Sequence, residues 1–231
     1  MNLLYYNGGM SGCRADLKKA GGMEVTFPKN LDIFPYLKRN GLCIYIDAGY
    51  LDTRLLTPGI GIYEPISYTQ GSLLIGETLW GQEFSASHYE LVPAVRSLEG
   101  LILPRQALME RCACLSDLWT GLFRSFKEIS YINSINTMLF HVGQGANRVC
   151  NYLWIYEILS QSYQDMPYIT QEKIAHKTLL SQSQVTRILG QLRERGIIDT
   201  RYRRIRILDR DRIKEFLSPL SLEPNFILPT P

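Results

Sequence analysis

Residues 168–209 follow a local pattern that constrains the fold of this chain more than any other segment. Thr170 has a typical helix N-cap side chain, and a short amphipathic run, residues 171–177, follows it. Ser181 precedes a second run and forms a capping-box pattern with Gln184 three residues later. The apolar positions of that run have helical spacing: Val185, Ile188, Leu189 and Leu192. The pattern predicts two packed helices joined by a tight turn.

A basic hairpin is predicted directly after these helices. Ile197–Thr200 and Ile205–Leu208 have the composition of strands, and Arg201, Arg203 and Arg204 lie between them. Arginines at this position suit a wing beside DNA phosphates, because guanidinium groups make charge-assisted hydrogen bonds with phosphate oxygens. A solvated turn is the alternative. Two helices followed by a basic hairpin predict a winged helix-turn-helix that binds double-stranded DNA.

Positive charge is concentrated in this C-terminal segment. Residues 165–217 contain 12 Lys or Arg against 7 Asp or Glu, whereas residues 1–164 contain 13 against 14. The apolar runs are far shorter than the roughly 20 residues of a membrane span, and the N-terminus has no signal-peptide pattern. Five cysteines without a CxxC pair are typical of a reducing compartment. We therefore expect a cytoplasmic protein whose C-terminal part contacts a polyanion.

The candidate DNA contacts are the outward side chains of the predicted helices and hairpin. Arg187 suits a guanine edge or a phosphate, and Gln182 suits an adenine edge. Phosphate contacts from Lys173 and the hairpin predict binding that weakens steeply with salt. The full candidate set is Thr170, Lys173, Ser181, Gln182, Ser183, Thr186, Arg187, Arg201, Arg203 and Arg204.

The N-terminal half has the pattern of an antiparallel β-domain. Short β-rich runs alternate with Gly and Pro: Met23–Phe27, Leu42–Asp47, Tyr50–Leu56, Gly61–Tyr68 and Val92–Leu103, with a tight turn at Ala48-Gly49. The predicted fold class is α+β: an N-terminal antiparallel β-roll (a cupin-like double-stranded β-helix), a long dimerisation helix and a C-terminal winged helix-turn-helix. The expected boundaries are an arm at 1–20, the roll at 21–113, the dimerisation helix at 114–143, the winged helix-turn-helix at 144–218 and a tail at 219–231.

A heptad-like pattern runs along the predicted long helix. Aliphatic residues at 3-4 spacing, interrupted by Ser125 and Asn136, are typical of a helix that pairs with a partner helix. The predicted dimer interface is Leu115, Leu118, Leu122, Ile129, Ile132, Asn136 and Leu139. The alternative is an amphipathic helix packed on its own domain. Trp119, Phe123 and Phe126 widen the apolar face, which favours packing of part of the helix on the roll of the same chain.

The order of these segments resembles the CRP/FNR family of bacterial regulators. The motifs that carry the resemblance are Ile169-Thr-Gln-Glu-Lys-Ile-Ala, Leu180-Ser-Gln-Ser-Gln-Val-Thr-Arg-Ile-Leu-Gly-Gln-Leu and Gly196-Ile-Ile, over about 40 residues. Gly71, Ile75-Gly-Glu-Thr-Leu and Ser85-Ala look like the family's effector-binding frame. The resemblance implies a homodimer on a near-palindromic operator and an effector pocket at Gly76, Glu77, Thr78, Phe84, Ser85 and Ala86.

Four positions depart from the family pattern. Leu179 stands where the helix-turn-helix usually has glycine, and Gln182-Ser183 stand where the family often has an Arg-Glu pair, so the operator should differ. Phe84 replaces the arginine that binds the cyclic phosphate in nucleotide-binding members. A buried phosphate without that cation is unfavourable, so we expect a signal other than a cyclic nucleotide.

The remaining chemistry-bearing residues indicate a regulator rather than an enzyme. Only Cys13 lies near the N-terminus, too few thiols for an iron–sulfur cluster, and we expect no cofactor and no metal. Cys112 and Cys114 are either a redox-active pair of thiols or, as the sequence favours, two thiols packed in the interior. His88, His141 and His176 are scattered, which is typical of lone histidines with ordinary partners.

The expected function is therefore a homodimeric regulator of transcription whose roll couples an unknown signal to operator binding, with no catalytic residues. DNA and a second copy are the expected partners, RNA polymerase is a candidate partner, and a small-molecule effector is left open. One alternative is a DNA-binding regulator with a vestigial roll, controlled by abundance or by a protein partner. A remote alternative is a cupin-like metalloenzyme, which needs a His-rich metal site.

Overall fold

The computed structural model describes residues 3–57, 61–74, 89–94, 96–162, 166–200 and 205–222. Contacts between residues divide the chain into two units. The roll unit comprises Tyr5–Leu56 and Ile66–Ile132, and the helical unit comprises Met1–Leu4, Thr57–Pro65 and Asn133–Pro231. Within the described ranges, no helix combines the length and apolar character that crossing a membrane requires.

The strands of the roll unit form two sheets. In the first, β2 (Met23–Pro28), β9 (Ser97–Pro104), β3 (Leu42–Ala48) and β7 (Leu73–Leu74) are antiparallel neighbours in that order. In the second, β1 (Tyr5–Tyr6) is parallel to β6 (Ser67–Tyr68), which is antiparallel to β4 (Leu51–Thr57), and β4 is antiparallel to β8 (Tyr89–Pro93). The short helix α2 (Phe34–Arg39) precedes β3. These sheets confirm the predicted antiparallel β-domain.

Three of the five predicted strand runs form single strands, and two are split. The run at 61–68 becomes β5 (Gly61–Tyr63) and β6, with Pro65 between them. The run at 92–103 is divided between β8 and β9, and Pro93 lies at the end of β8. Proline has no N–H to donate to a neighbouring strand, so strands tend to end near it. The predicted tight turn after β3 is confirmed by Gly49, whose φ is 98°.

Strand β3 is covered on both faces, which places the core of the roll unit. Cys43, Ile44, Tyr45 and Ile46 are all buried. Cys43 and Tyr45 belong to one apolar cluster that draws on β9, the N-terminal residues and the helices that follow β9; its members are Met10, Leu17, Cys43, Tyr45, Leu73, Leu101, Leu103, Leu108, Cys112 and Leu118. The core therefore extends beyond the two sheets.

The N-terminal residues, predicted as an arm with little pattern, are an integral part of the roll unit. Tyr5, Tyr6 and Met10 are fully buried. Tyr6 O accepts a hydrogen bond from the Thr69 N–H at 2.9 Å, and the Met10 N–H donates to Gly71 O at 3.2 Å. A 3-10 turn at Ser11–Cys13 and helix α1 (Arg14–Lys19) continue the segment. The sequence missed this strand because two residues are too few to show a period.

The long helical region after β9 is broken once. Helix α3 (Arg105–Cys114) ends at Leu115, whose backbone is extended with φ −128° and ψ 104°. Helix α4 (Ser116–Phe140) then runs for 25 residues. Gly143, with φ 90°, separates α4 from the next helix, as predicted.

The predicted dimer interface needs correction, because α4 uses that face within its own chain. Leu118, Ile129, Ile132, Asn136 and Leu139 are buried in the single chain. Leu115 and Leu122 are half-buried against the roll core. Side chains without exposed surface have no area left for a partner helix, so the alternative of an amphipathic helix packed on its own chain applies to this face. The large apolar side chains that α4 exposes are different ones: Trp119 (56% exposed), Phe123 (69%), Phe126 (54%), Tyr131 (49%) and Met138 (49%).

The helical unit contains the predicted helix-turn-helix. Its elements after α4 are α5 (Gly145–Ser162), α6 (Gln171–Thr178), α7 (Gln182–Glu194), β10 (Ile198–Asp199), β11 (Arg206–Ile207), α8 (Arg210–Lys214) and a 3-10 turn at Pro219–Leu222. Asn151 on α5 ties several of them together: its Nδ2 donates to Leu139 O at 2.8 Å, and its Oδ1 accepts from the Ser218 N–H at 3.0 Å and Ser221 Oγ at 2.8 Å.

Replacement of Gly8 by alanine should destabilise the roll unit. A Cβ at Gly8 would lie 2.1 Å from the Gly71 carbonyl oxygen, so the backbone must shift, and such overpacking costs about 1–3 kcal/mol. Urea unfolding followed by circular dichroism measures the difference. Gly12→Ala is the control, because nothing lies within 4 Å of a Cβ there. Equal stability of the two variants would contradict the packing of the N-terminal segment.

Candidate nucleic-acid interface

Helix α6, the first helix of the helix-turn-helix, is fixed at both ends. At its start, Thr170 Oγ1 accepts a hydrogen bond from the Lys173 N–H at 3.1 Å, as the N-cap pattern predicted. At its end, Leu179 adopts φ 53° and ψ 41°, the left-handed conformation that glycine usually supplies. The conformation costs a non-glycine residue around 1 kcal/mol or more. The turn is closed by the Leu180 N–H, which donates to Ala175 O at 3.2 Å.

Helix α7, the predicted recognition helix, begins with the capping box that the sequence predicted. Ser181 Oγ accepts from the Gln184 N–H at 3.3 Å, and Gln184 Oε1 accepts from the Ser181 N–H at 2.8 Å. Ser183 Oγ lies 3.0 Å from Ser181 Oγ. Ser181 is therefore primarily a cap, although it was predicted as a DNA contact.

The packing of α7 decides which side chains face outward. Val185, Ile188, Leu189 and Leu192 are buried, as predicted from their spacing. Gly145, at the start of α5, lies close to this face: a Cβ there would be 3.2 Å from Ile188 Cδ1. The exposed side of the first two turns presents four of the predicted DNA contacts together: Gln182, Ser183, Thr186 and Arg187. We call these four residues the reader face.

Gln171 lies against the reader face. Its position directly after an N-cap residue is the only feature of the sequence that points to it. Thr186 Oγ1 lies 2.7 Å from Gln171 Oε1 and 2.9 Å from Gln182 O. The Thr186 hydroxyl has one proton, so it donates fully to only one of these oxygens. When it donates to Gln171 Oε1, the Gln171 amide turns its N–H groups away from Thr186. That arrangement gives α6 a positioned donor beside the recognition helix.

The lysines of α6 have different surroundings. Lys173 is half-buried, whereas Lys177 is buried. His141 Nε2 lies 3.2 Å from Lys177 O, and because a carbonyl only accepts, Nε2 carries the proton. Burial lowers the pKa of His141, which favours the neutral ring. Lys173 is therefore the more accessible of the two ammonium groups for a phosphate.

The strands of the predicted hairpin are present. β10 and β11 pair antiparallel, with Ile198 opposite Ile207 and Asp199 opposite Arg206. Arg201, Arg203 and Arg204 lie outside the described residues, so their contact with DNA stays a prediction. The predicted effector-pocket residues Gly76, Glu77, Thr78, Phe84, Ser85 and Ala86 also lie outside the described residues, as does His88.

The thiols differ in exposure. Cys43, Cys112 and Cys150 are buried, whereas Cys114 is exposed, which corrects the prediction that Cys112 and Cys114 are both packed. Burial raises the pKa of Cys112 and so disfavours its thiolate, the form that reacts in redox chemistry. In the part of the chain that the structure describes, no three His, Cys, Asp or Glu side chains are placed to hold a metal ion.

Replacement of Ser181 by alanine should lower the free energy of unfolding by about 1 kcal/mol, because the N-cap acceptor of α7 is lost. Thermal unfolding followed by circular dichroism measures the change. Gln191→Ala is the control, since Gln191 is exposed on the same helix and lies far from its N-terminal cap. If the two variants lose equal stability, Ser181 is not the residue that caps the helix.

The comparisons with known proteins agree with this geometry. Residues 147–216 match the family model of the Crp-like helix-turn-helix domain. No curated protein sequence matches the chain significantly.

Solved structures match most of the chain at low sequence identity. FixK2 from Bradyrhizobium japonicum is 16% identical, with 85% of this chain and 98% of that chain covered and a TM-score of 0.59. A Crp/Fnr-family transcriptional regulator from Eubacterium rectale is 14% identical, with 88% and 93% covered and a TM-score of 0.67. CLP, a c-di-GMP-responsive global regulator from Xanthomonas campestris, is 13% identical, with 86% and 99% covered and a TM-score of 0.64. The chain therefore carries a Crp-like helix-turn-helix domain at residues 147–216, and its fold is similar to that of these solved regulators.

Proposed function

We propose that this protein is a homodimeric, sequence-specific regulator of transcription, in which the roll unit couples a signal other than a cyclic nucleotide to operator binding. The observation that carries the proposal is the reader face of α7. Its four polar side chains are exposed together, while the opposite side of the helix packs into the helical unit. A helix presented in this way suits the major groove, and two copies would reach successive grooves about 34 Å apart.

Base recognition is assigned to Gln182 and Arg187, and phosphate contacts to Lys173 and the hairpin arginines. Gln182 offers the paired donor and acceptor that suit adenine, and Arg187 the paired donors that suit guanine. Thr170 and Ser181 support DNA binding indirectly, because both cap the helices that carry these groups. RNA polymerase remains a candidate partner, for which no surface is proposed.

Gln182→Ala should change the base preference at one position of each half-site. A lost bidentate contact costs about 1–3 kcal/mol of discrimination at that position. Selection from a random double-stranded DNA library, followed by sequencing, measures the preference of each variant. Gln191→Ala is the matched control, because Gln191 is exposed on the same helix but outside the reader face. A Gln182→Ala preference identical to that of the wild type would remove Gln182 from the base contacts.

Dimerisation is assigned to the exposed aromatic stripe of α4, which consists of Trp119, Phe123 and Phe126. Their spacing of four and three residues places them on one side of the helix. All three are more than half exposed in the single chain. Burying a large aromatic side chain removes a large apolar area from water, which is favourable, and such side chains are enriched in protein–protein interfaces. A second copy of α4 carries the same stripe, so a two-fold axis beside it would bury both.

Phe123→Glu should weaken the dimer at least tenfold, because a carboxylate would replace a ring at the centre of the stripe. Sedimentation equilibrium over a range of protein concentrations measures the dissociation constant. Thr120→Glu is the control, since it adds the same charge at an exposed α4 position about 60° around the helix from Phe123. An unchanged dimer in Phe123→Glu would exclude the stripe, whereas a monomeric wild type would exclude dimerisation itself.

A second candidate function, a regulator without a small-molecule effector, is favoured by one observation. The Tyr6 side chain is buried and donates through its hydroxyl to Glu128 Oε2 on α4 at 3.2 Å. Burial raises the pKa of Tyr6 to about 12, so the phenol stays protonated and keeps its donor. The N-terminal strand thereby supplies a polar contact to α4 from within the chain, with no ligand involved. Control by abundance or by a protein partner then replaces control by a ligand.

A further inference from the structure

Residues 61–65 of the helical unit lie against α6, although they come from the part of the chain between the roll strands β4 and β6. The Glu64 N–H donates to His176 O at 3.3 Å, and His176 Nδ1 lies 3.2 Å from Glu64 Oε1. Asn136 Nδ2 donates to Pro65 O at 3.5 Å. The Tyr63 and His141 rings meet edge to face with centroids 4.9 Å apart. We call residues 61–65 the clasp.

The centre of the clasp is a buried, ionised carboxylate. Glu64 is 2% exposed. Burial by itself raises the pKa of a carboxyl, but the hydrogen bond from His176 and the positive charges of Lys173 and Lys177 outweigh that effect and lower the pKa of Glu64 to about 2. A buried carboxylate is tolerated only with such partners. The surface of α6 thus binds an anion that is part of the same chain.

One of the cations near Glu64, Lys173, is also the lysine assigned to a phosphate in the proposed function. Lys173 is half-buried, whereas Lys177, about one turn further along α6, is buried. Carboxylate and phosphate oxygens are both anionic acceptors that bind the same N–H donors. A phosphate at Lys173 and the Glu64 carboxylate repel each other, so the clasp and a DNA backbone compete for the charge of this lysine.

We propose that the clasp is an internal acidic ligand of α6, which neutralises Lys173, the lysine assigned to a DNA phosphate, and must release it for full DNA affinity. The proposal rests on the proposed DNA-binding function.

Glu64→Gln in the full chain tests the proposal, because glutamine keeps the size of the side chain and removes its charge. The probe is a 30-base-pair duplex of random sequence, and the readout is fluorescence anisotropy across a range of KCl concentrations. We expect Glu64→Gln to bind the duplex roughly threefold or more tightly than the wild type. The slope of log K against log KCl concentration should also become more negative by about one, as expected for one additional phosphate contact. Glu110→Gln is the control, because Glu110 is exposed on α3 and its replacement changes the net charge equally.

Hydrogen exchange of the wild-type protein provides a second test that needs no variant to fold. The Glu64 amide is protected by its bond to His176 O, so peptides that span residues 61–65 should exchange faster when DNA is bound. Slower or unchanged exchange overturns the proposal, as does Glu64→Gln binding no tighter than Glu110→Gln. If neither the wild type nor Glu64→Gln binds duplex DNA, the proposed function fails and the clasp proposal with it. If the wild type binds, a failure concerns the clasp alone.

Discussion

The packing of α7 against the rest of the helical unit is the constraint on which the candidate interface depends. Four buried aliphatic side chains fix the rotation of α7 about its axis, and the capping box at Ser181 fixes where the helix begins. The rotation of α7 and the residue at which it begins together place Gln182, Ser183, Thr186 and Arg187 on the exposed side. The left-handed backbone at Leu179 is the cost of the tight turn between α6 and α7. The core of the domain evidently outweighs that cost.

The amphipathic pattern of helix α4 is compatible with two arrangements, packing within its own chain and packing against a partner chain. A 3-4 spacing of aliphatic residues predicts a buried stripe, but it does not say whether the covering surface belongs to the same chain or to a partner. Here the aliphatic stripe is buried within the chain, and the residues left exposed are aromatic. Asn136, predicted to set the register of a helix pair, instead donates to Pro65 O. The proposed dimer surface moves by about a quarter turn around the helix as a result.

Two segments acquire roles through distant contacts that local patterns do not contain. The N-terminal residues provide a buried strand and place Tyr6 against α4, because their partners Thr69, Gly71 and Glu128 lie far along the chain. Glu64 lies 112 residues from His176, with which it forms an ion pair when the imidazole is protonated. In both cases a polar group is buried, and burial is favourable only because the fold supplies the partner.

The sequence by itself determined the helix-turn-helix, its two caps, the outward residues of α7 and the antiparallel character of the N-terminal half. These features depend on residues three or four apart, or on alternation within a strand, so a local pattern contains them. Only the tertiary structure decided which face of α4 is buried, where the first ten residues pack, that Gln171 reaches Thr186 and that Glu64 reaches α6. Those outcomes depend on which surfaces meet, and apolar and ionic contacts between distant segments carry no signature in the spacing of either segment.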